Sequence, residues 1–197
     1  MSRAIVSHAP HRSMITALAM LALPALGCKP SDAARADSAA PAQTPSESRW
    51  AVTDSGAGML RIGMTREELA RERGAVAPSS ASADSGCAYL PIPGLPTGMR
   101  TMWVGGTLAR IEILTADLPT DRGARVGDSS ARIDSLYGAR ATSMPAKYDP
   151  RGSYIVVRPA GGADTARRIV FETDSTRHVT RYRAGREPEV EWVEGCG

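Results

Sequence analysis

Two fourteen-residue stretches of this chain are so alike that they limit what it can fold into. Residues 61–74 read RIGMTREELARERG, and residues 125–138, which begin 64 positions later, read RVGDSSARIDSLYG. Both open with arginine, an aliphatic residue and glycine, and both close with glycine. The repetition predicts that one structural unit occurs twice within a single small protein.

The first copy carries the signals of a short helix. Thr65 precedes Glu68 with the spacing of a capping box, and Met64 precedes Leu69 with the spacing of a hydrophobic staple. Gly74 supplies the left-handed residue that commonly ends a helix. We therefore predict a helix with Thr65 as its N-cap.

The second copy keeps these signals with a weaker cap. Ser129 stands at the N-cap position and Gly138 at the C-terminal end, but no acidic residue follows Ser129 at the capping-box position. Ile133, Leu136 and Tyr137 follow the i, i+3, i+4 pattern of one apolar helix face.

Three strand-like runs follow each predicted helix, at 87–92, 100–104 and 108–114, and at 153–157, 167–173 and 178–183. The turns between consecutive runs are too short for crossover helices, so we predict a largely antiparallel sheet. Two flanking runs, 49–53 and 190–195, are candidates for one further strand each. The predicted fold class is α+β, as two αβββ repeats with short helices packed on one face of the sheet.

A single copy is too small to bury its own apolar side, so the two copies should share one core. The candidate core residues are apolar side chains of the predicted helices and strands: Leu69, Trp103, Ile111, Ile113, Ile133, Leu136, Ile155, Val157, Ile169 and Phe171.

The motif RIGMTREEL at 61–69 resembles the start of the helix in the SmpA/OmlA family of outer-membrane lipoproteins. The duplicated helix-plus-strand plan is similar to that of the β-lactamase inhibitory proteins, and the whole chain resembles exported bacterial lipoproteins. The resemblance implies an exported α+β module, and it brings no functional residues with it.

The first 27 residues are typical of a secretory signal peptide. Arg3 and Arg12 precede the apolar run 14–26, which is shorter than the ~20 residues that a membrane-spanning helix needs. The sequence ALGC at 25–28 resembles a bacterial lipobox, so we predict that Cys28 becomes the acylated first residue of the mature protein. Ordinary cleavage after small residues is the alternative, and it would leave an unpaired exported cysteine.

Residues 28–49 contain Ala, Ser, Pro and scattered charge but no Leu, Ile, Val or aromatic residue, which predicts a flexible tether. The remaining residues, 50–197, have the length of one domain, with repeats at about 50–117 and 118–197. This domain has 19 basic and 18 acidic residues, so its charge gives no sign of nucleic-acid binding.

The two remaining cysteines, Cys87 and Cys196, are 109 positions apart and should form a disulfide in an oxidising compartment. A redox or metal-binding pair is the alternative, but the CxxC spacing and nearby ligands are missing. Catalytic motifs are also missing: beyond the signal peptide the one histidine is His178, and there is no GxSxG. We predict no enzyme activity, cofactor or metal. A pair of catalytic carboxylates of the glycosidase type is the open alternative, because the fold and not the sequence spacing sets the distance between such groups.

Arginines precede glutamates in the stretch 177–194. If Ala184 and Gly185 form a hairpin turn, the two signs of charge face each other across two strands. The alternative is that the arginines dock an anionic envelope partner. Two proline-containing loops, 91–98 and 144–152, are the predicted contact loops because proline lowers the entropy lost on binding. The possible partner contacts are therefore Arg181, Arg183, Arg186 and Tyr148.

These observations favour a monomeric, non-enzymatic lipoprotein that is held to the membrane by its acyl anchor and faces the periplasm or the cell surface. It would bind an envelope protein or a cell-wall polymer. The alternative is a proteinaceous inhibitor that inserts a loop into a secreted hydrolase.

We expect a clickable fatty acid fed to cells to label the wild-type protein and to leave Cys28→Ser unlabelled, because the acyl anchor is built on the cysteine thiol. In-gel fluorescence of the two purified proteins measures the difference. Equal labelling would contradict lipidation at this position.

Overall fold

A computed structural model describes residues 49–73, 86–162 and 166–197. The predicted signal peptide, Cys28, nearly all of the predicted tether and Gly74 lie outside these residues. Within the described ranges, no helix is long and apolar enough to cross a bilayer.

The fold is α+β. A small antiparallel sheet contains β1 (Val52–Thr53), β2 (Gly56–Ala57) and β3 (Leu60–Arg61). The main sheet contains β4 (Cys87–Tyr89), β5 (Met99–Val104), β6 (Thr107–Ile113), β7 (Ala141–Pro145), β8 (Ser153–Val157), β9 (Arg167–Thr173) and β10 (Val179–Arg186). Its order is β4-β5-β6-β10-β9-β8-β7, and every neighbouring pair is antiparallel, as predicted.

Two short α-helices accompany the sheet, α1 (Arg66–Arg73) and α2 (Ser130–Tyr137). The predicted capping box of α1 is confirmed, because Glu68 N donates to Thr65 Oγ1 at 3.1 Å and Thr65 N donates to Glu68 Oε2 at 2.7 Å. The cap of α2 is also confirmed: Ser129 Oγ accepts from Arg132 N, and Gly138 ends the helix with φ 54°. The described residues also form three 3-10 turns, at Gly138–Arg140, Ala160–Gly162 and Glu189–Glu191.

The residues before each helix are hydrogen-bonded to the start of a central strand. Before α1, Gly63 N donates to Leu108 O at 2.8 Å and Leu108 N donates to Met64 O at 2.9 Å. The same pair of bonds occurs before α2, where Gly127 N donates to Val179 O at 2.8 Å and Val179 N donates to Asp128 O at 2.9 Å. Both helices are thus fixed to the two strands, β6 and β10, that pair at the centre of the sheet.

One apolar core lies between the helices and the sheet, on the side that we call the front face. Leu69 of α1 and Ile133 of α2 belong to the same cluster and are 1% and 0% exposed. Of the ten predicted core residues, Leu136 is partly buried and the others are all buried. A smaller cluster covers part of the opposite, back face with Tyr154, Val156, Val170 and Val190.

The predicted disulfide is present. Cys87 on the edge strand β4 is bonded to Cys196, with 5.5 Å between the Cα atoms. The bond attaches the C-terminal segment, which we define as residues 187–197, to the far edge of the sheet.

The prediction of a hairpin turn at Ala184 and Gly185 is wrong, since both residues lie inside β10. There they pair with β6 on one side and with β9 on the other. The backbone hydrogen bonds to both neighbours stabilise an extended strand at this position instead of a turn. The run 190–195 is not a strand either, because its beginning belongs to the 3-10 turn Glu189–Glu191. The run 49–53 contributes β1 to the small sheet, whereas β2, β3 and β7 were not predicted. Because of β7, four strands follow α2 and not the predicted three.

We expect Gly185→Ala to lower the free energy of unfolding by about 1–3 kcal/mol, because a methyl group there would collide with the backbone oxygen of Ala109 on β6. Urea-induced unfolding followed by circular dichroism measures the change. Thr180→Ala, at an exposed position of the same strand, is the control. A neutral Gly185→Ala would indicate an exposed turn instead of a central strand.

Candidate binding groove on the back of the sheet

The back face of the sheet carries charged side chains at its centre. Side chains alternate between the two faces along a strand, so Glu112 of β6 lies opposite Arg183 of β10 on the back. Arg110, Arg181 and Glu172 extend this group, and we call the five residues the back-face polar layer. Arg110 and Arg183 are 1% and 4% exposed, which requires the structure itself to supply their hydrogen-bond partners.

Backbone carbonyls of the C-terminal segment are some of these hydrogen-bond partners. Arg110 Nη1 donates to Glu189 O at 2.9 Å and to Trp192 O at 2.6 Å. Arg183 Nε donates to Val190 O at 2.6 Å. The two arginines therefore hold the C-terminal segment against the sheet.

The carboxylate of Glu172 pairs with two arginines of the polar layer. Glu172 accepts from Arg181 Nε at 2.9 Å and Nη2 at 3.0 Å, and from Arg183 Nη1 at 3.4 Å. The hydrogen bond with Glu172 raises the pKa of Arg181. Burial lowers the pKa of Arg183, because desolvation disfavours its charged form. Glu172 and the carbonyl of Val190 thus offset part of the cost of burying the charge of Arg183.

Glu112 is held in a second group of contacts. Arg110 Nη2 contacts its carboxylate, and Tyr89 OH donates to Glu112 Oε1 at 2.8 Å. Tyr89 OH also accepts from Arg110 Nη2 at 2.8 Å. Burial is the main cause of the raised pKa of Tyr89, and the neighbouring carboxylate adds to it. The polar layer is consequently a network of internal ion pairs.

The four predicted partner contacts lie in different environments. Arg183 is buried in the polar layer, and the more exposed Arg181 is engaged by Glu172. Arg186 pairs with Glu189 at 3.1 Å, but the two residues are three positions apart beside a 3-10 turn and do not face each other across two strands as expected. Tyr148 is the most open of the four at 66% exposed, and its hydroxyl contacts the carboxylate of Glu194.

An open groove of about 290 Å³ lies on the back face beside the polar layer. Its lining comes from β7 to β10, the loop after β7 and the C-terminal segment: Met144, Pro145, Lys147, Tyr154, Val156, Val170, Arg183 and Glu191. We call it the back-face groove. Its floor is apolar because Val156 and Val170 belong to the small back-face cluster. Lys147 and Glu191 place one charge of each sign at its lining.

Exposed apolar side chains concentrate around this groove. The described residues expose four large hydrophobic side chains, and three of them are Met144, Tyr148 and Trp192, at 46%, 66% and 36%. Met144 lines the groove, Tyr148 follows the groove residue Lys147, and Trp192 follows the groove residue Glu191. Methionine, tyrosine and tryptophan are the side chains that protein interfaces favour.

A wider concavity of about 760 Å³ follows the other predicted contact loop, 91–98. All of its lining residues come from the one segment 89–101. Arg73 Nη1 of α1 donates to Pro93 O at 2.6 Å, which fixes the loop against the helix. None of the exposed large hydrophobic side chains among the described residues belongs to this segment. The back-face groove is therefore the stronger candidate for a protein contact.

The predicted loop 144–152 begins inside β7, which contains Met144 and Pro145, and the groove beside it was not predicted. Val156, Val170 and Glu191 come from separate parts of the chain, and each is unremarkable in its local pattern. The consecutive apolar residues of β8 and β9 indicated burial on both faces, which was the one available signal. In the described ranges, no group of three or more His, Cys, Asp or Glu residues is placed to hold a metal ion.

We expect Glu172→Gln to lower the free energy of unfolding by about 1.5–3 kcal/mol, because Arg183 loses its carboxylate partner while it stays buried. Urea-induced unfolding at neutral pH measures this. Glu194→Gln, which removes the charge of an exposed carboxylate that pairs with Lys147, should have a much smaller effect. Equal effects of the two substitutions would contradict a structural role for the polar layer.

Neither a protein-family model nor a curated protein matches the sequence. Among solved structures, the chain is similar to an extracellular protein containing an SCP domain from Bacillus anthracis, at 10% identity and a TM-score of 0.40, over 64% of this chain and 44% of that chain. It is also similar to the uncharacterized protein yfeY from Escherichia coli, at 18% identity and a TM-score of 0.34, over 69% of this chain and 99% of that one. The chain thus spans less than half the length of the Bacillus anthracis protein.

Proposed function

We propose that this protein is an exported, non-enzymatic lipoprotein of the bacterial cell envelope whose domain binds a second envelope protein at the back-face groove. The anchor is an acyl group on Cys28. The disulfide between Cys87 and Cys196 supports this assignment, because it leaves Cys28 as the odd cysteine of an exported chain. The tether at 28–49 lets the domain stand away from the membrane.

The domain, in this proposal, is a duplicated unit. The helix caps Thr65 and Ser129 are 64 positions apart, and the strand residues to which the preceding segments bond, Leu108 and Val179, are 179 − 108 = 71 apart. Each cap residue also forms a bridge to the strand start, Thr65 with Thr107 and Ser129 with His178. Corresponding hydrogen bonds at corresponding positions support a common origin of the two units.

The central strand pair supports the same interpretation. The offset of 71 equates Ile111 with Tyr182 and Ile113 with Ala184, and the observed pairs are Ile111 with Ala184 and Ile113 with Tyr182. Exchanging the two units therefore maps one pair onto the other. Glu112 and Arg183 lie at the centre of this exchange and pair with each other. A pseudo-twofold axis would pass between these two opposed residues.

The exposed apolar side chains around the back-face groove are the observation that carries the binding proposal. Completely burying a methionine or a similar side chain contributes about 1.5–3 kcal/mol, so the exposed part of Met144 alone leaves a substantial gain for a partner. The groove floor is already built from packed valines, so binding would need little rearrangement. A partner side chain of aliphatic character fits this chemistry.

We expect Met144→Glu to reduce partner binding by about tenfold or more, because a carboxylate would be desolvated against the apolar floor. The measurement is crosslinking in living cells, with the photoreactive benzoylphenylalanine placed at Tyr148 of the full-length protein. Leu114→Glu is the matched control, since Leu114 is the remaining exposed large hydrophobic residue among those described. The control should crosslink like the wild type.

Equal crosslinking by Met144→Glu and Leu114→Glu would overturn the proposed site. If the crosslinked partner is a secreted hydrolase that loses activity in the complex, the protein is an inhibitor and not a passive binding module.

A further inference from the structure

The strand β7 ends the main sheet with an open edge. It pairs with β8 on one side, and it has no second neighbour in the part of the chain that the structure describes. Its sequence, Ala-Thr-Ser-Met-Pro, carries no charge, and its last four residues are exposed. Charged side chains and proline commonly protect sheet edges from pairing. This edge lacks charge, and its one proline, Pro145, is the last residue of the strand.

The hydrogen bonds to β8 show which backbone groups of β7 point outward. Arg158 N donates to Arg140 O at 3.0 Å, and Ala146 N donates to Gly152 O at 3.1 Å. In an antiparallel pair, hydrogen-bonded and non-hydrogen-bonded residues alternate. The backbone N–H and C=O groups of the even-numbered residues of β7 therefore point toward β8. The N–H and C=O groups of Ala141, Ser143 and Pro145 therefore face the open edge.

The open edge has more acceptors than donors. The N–H of Ala141 already donates to Gly138 O, and proline has no N–H. Ser143 thus offers the one free N–H of the three outward-facing residues, whereas all three offer a carbonyl. A strand that adds to this edge can form four hydrogen bonds, and it must supply three of the donors.

This imbalance argues against a second copy of the same chain. Each copy would bring one free N–H to the contact, so two paired β7 strands can form at most two hydrogen bonds, whichever register they adopt. The remaining carbonyls would face each other without donors, which is costly. An unrelated extended segment with a free N–H at every second residue does not have this defect.

We propose that β7 binds an extended segment of the partner protein as an added strand, with N–H donors at alternate positions and an aliphatic side chain directed into the back-face groove. The inference rests on the proposed function of the groove. Residues of the added strand opposite Thr142 and Met144 lie on the back face, because these two pair with Val156 and Tyr154 of the back-face cluster. The backbone then provides affinity and the groove provides selectivity.

The proposal predicts which donors matter in a model peptide. The probe is acetyl-Thr-Val-Thr-Leu-Thr-Val-Thr-amide, titrated into the full-length, ¹⁵N-labelled protein and followed by NMR. We expect amide shifts at Ala141, Ser143 and the groove residues, with a dissociation constant on the order of 1 mM. N-methylation of the two central threonines should abolish binding, whereas N-methylation of the leucine and one valine should leave it.

A pair of protein variants tests the same edge. Ser143→Pro removes the outward N–H and leaves the bonds to β8 intact, so we expect about tenfold weaker binding of the peptide. Ser143→Ala keeps the N–H and should bind like the wild type. Proline is tolerated at such an edge position, and the circular dichroism spectra of the two variants should match.

Three outcomes would overturn the added strand: no peptide binding at millimolar concentration, equal binding by the two methylated peptides, or equal binding by Ser143→Pro and Ser143→Ala. The crosslinking assay separates this failure from that of the proposed function. If Ser143→Pro crosslinks the partner normally while Met144→Glu does not, the groove binds without the edge. If Met144→Glu also crosslinks normally, the proposed function itself fails.

Discussion

The antiparallel pairing of β6 with β10 is the interaction on which the rest of the structure depends. These strands come from opposite halves of the chain, and the segments before both helices are hydrogen-bonded to their first residues. The pairing therefore brings Leu69 and Ile133 into one core, which neither half is large enough to build. It also places Glu112 against Arg183 at the centre of the opposite face.

The two faces of the sheet achieve stability by different means. The front face excludes water with apolar side chains beneath α1 and α2. The back face has a charged centre, and the C-terminal segment covers it by giving its carbonyls to Arg110 and Arg183. Buried ion pairs contribute little net stability compared with apolar packing, so the attachment of the segment through Cys196 supports this covering. The C-terminal segment does not extend over the apolar floor of the back-face groove, which is therefore open.

The local parts of the fold were predictable because their signals are local. The caps at Thr65 and Ser129 and the left-handed Gly138 depend on neighbouring residues, and all three were assigned correctly. The strand β7 was missed because Thr, Ser and Pro at an exposed edge give no alternation of apolar and polar residues. Gly185 was assigned to a turn because glycine beside charged residues is typical of turns. In the structure it allows β6 to approach β10 closely.

The sequence by itself determined the two short helices, the antiparallel strands, the shared core and the pairing of Cys87 with Cys196, since spacing, periodicity and cysteine number are properties of the chain alone. Only the tertiary structure decided the partners of the arginines and the place of the groove. Arg183 lies closer in sequence to Glu187 and Glu189 than to Glu172, yet Glu172 on β9 is the carboxylate it contacts. The order of the strands brings Glu172 close to Arg183. That order arises from the packing of the whole sheet, and no local sequence pattern encodes it.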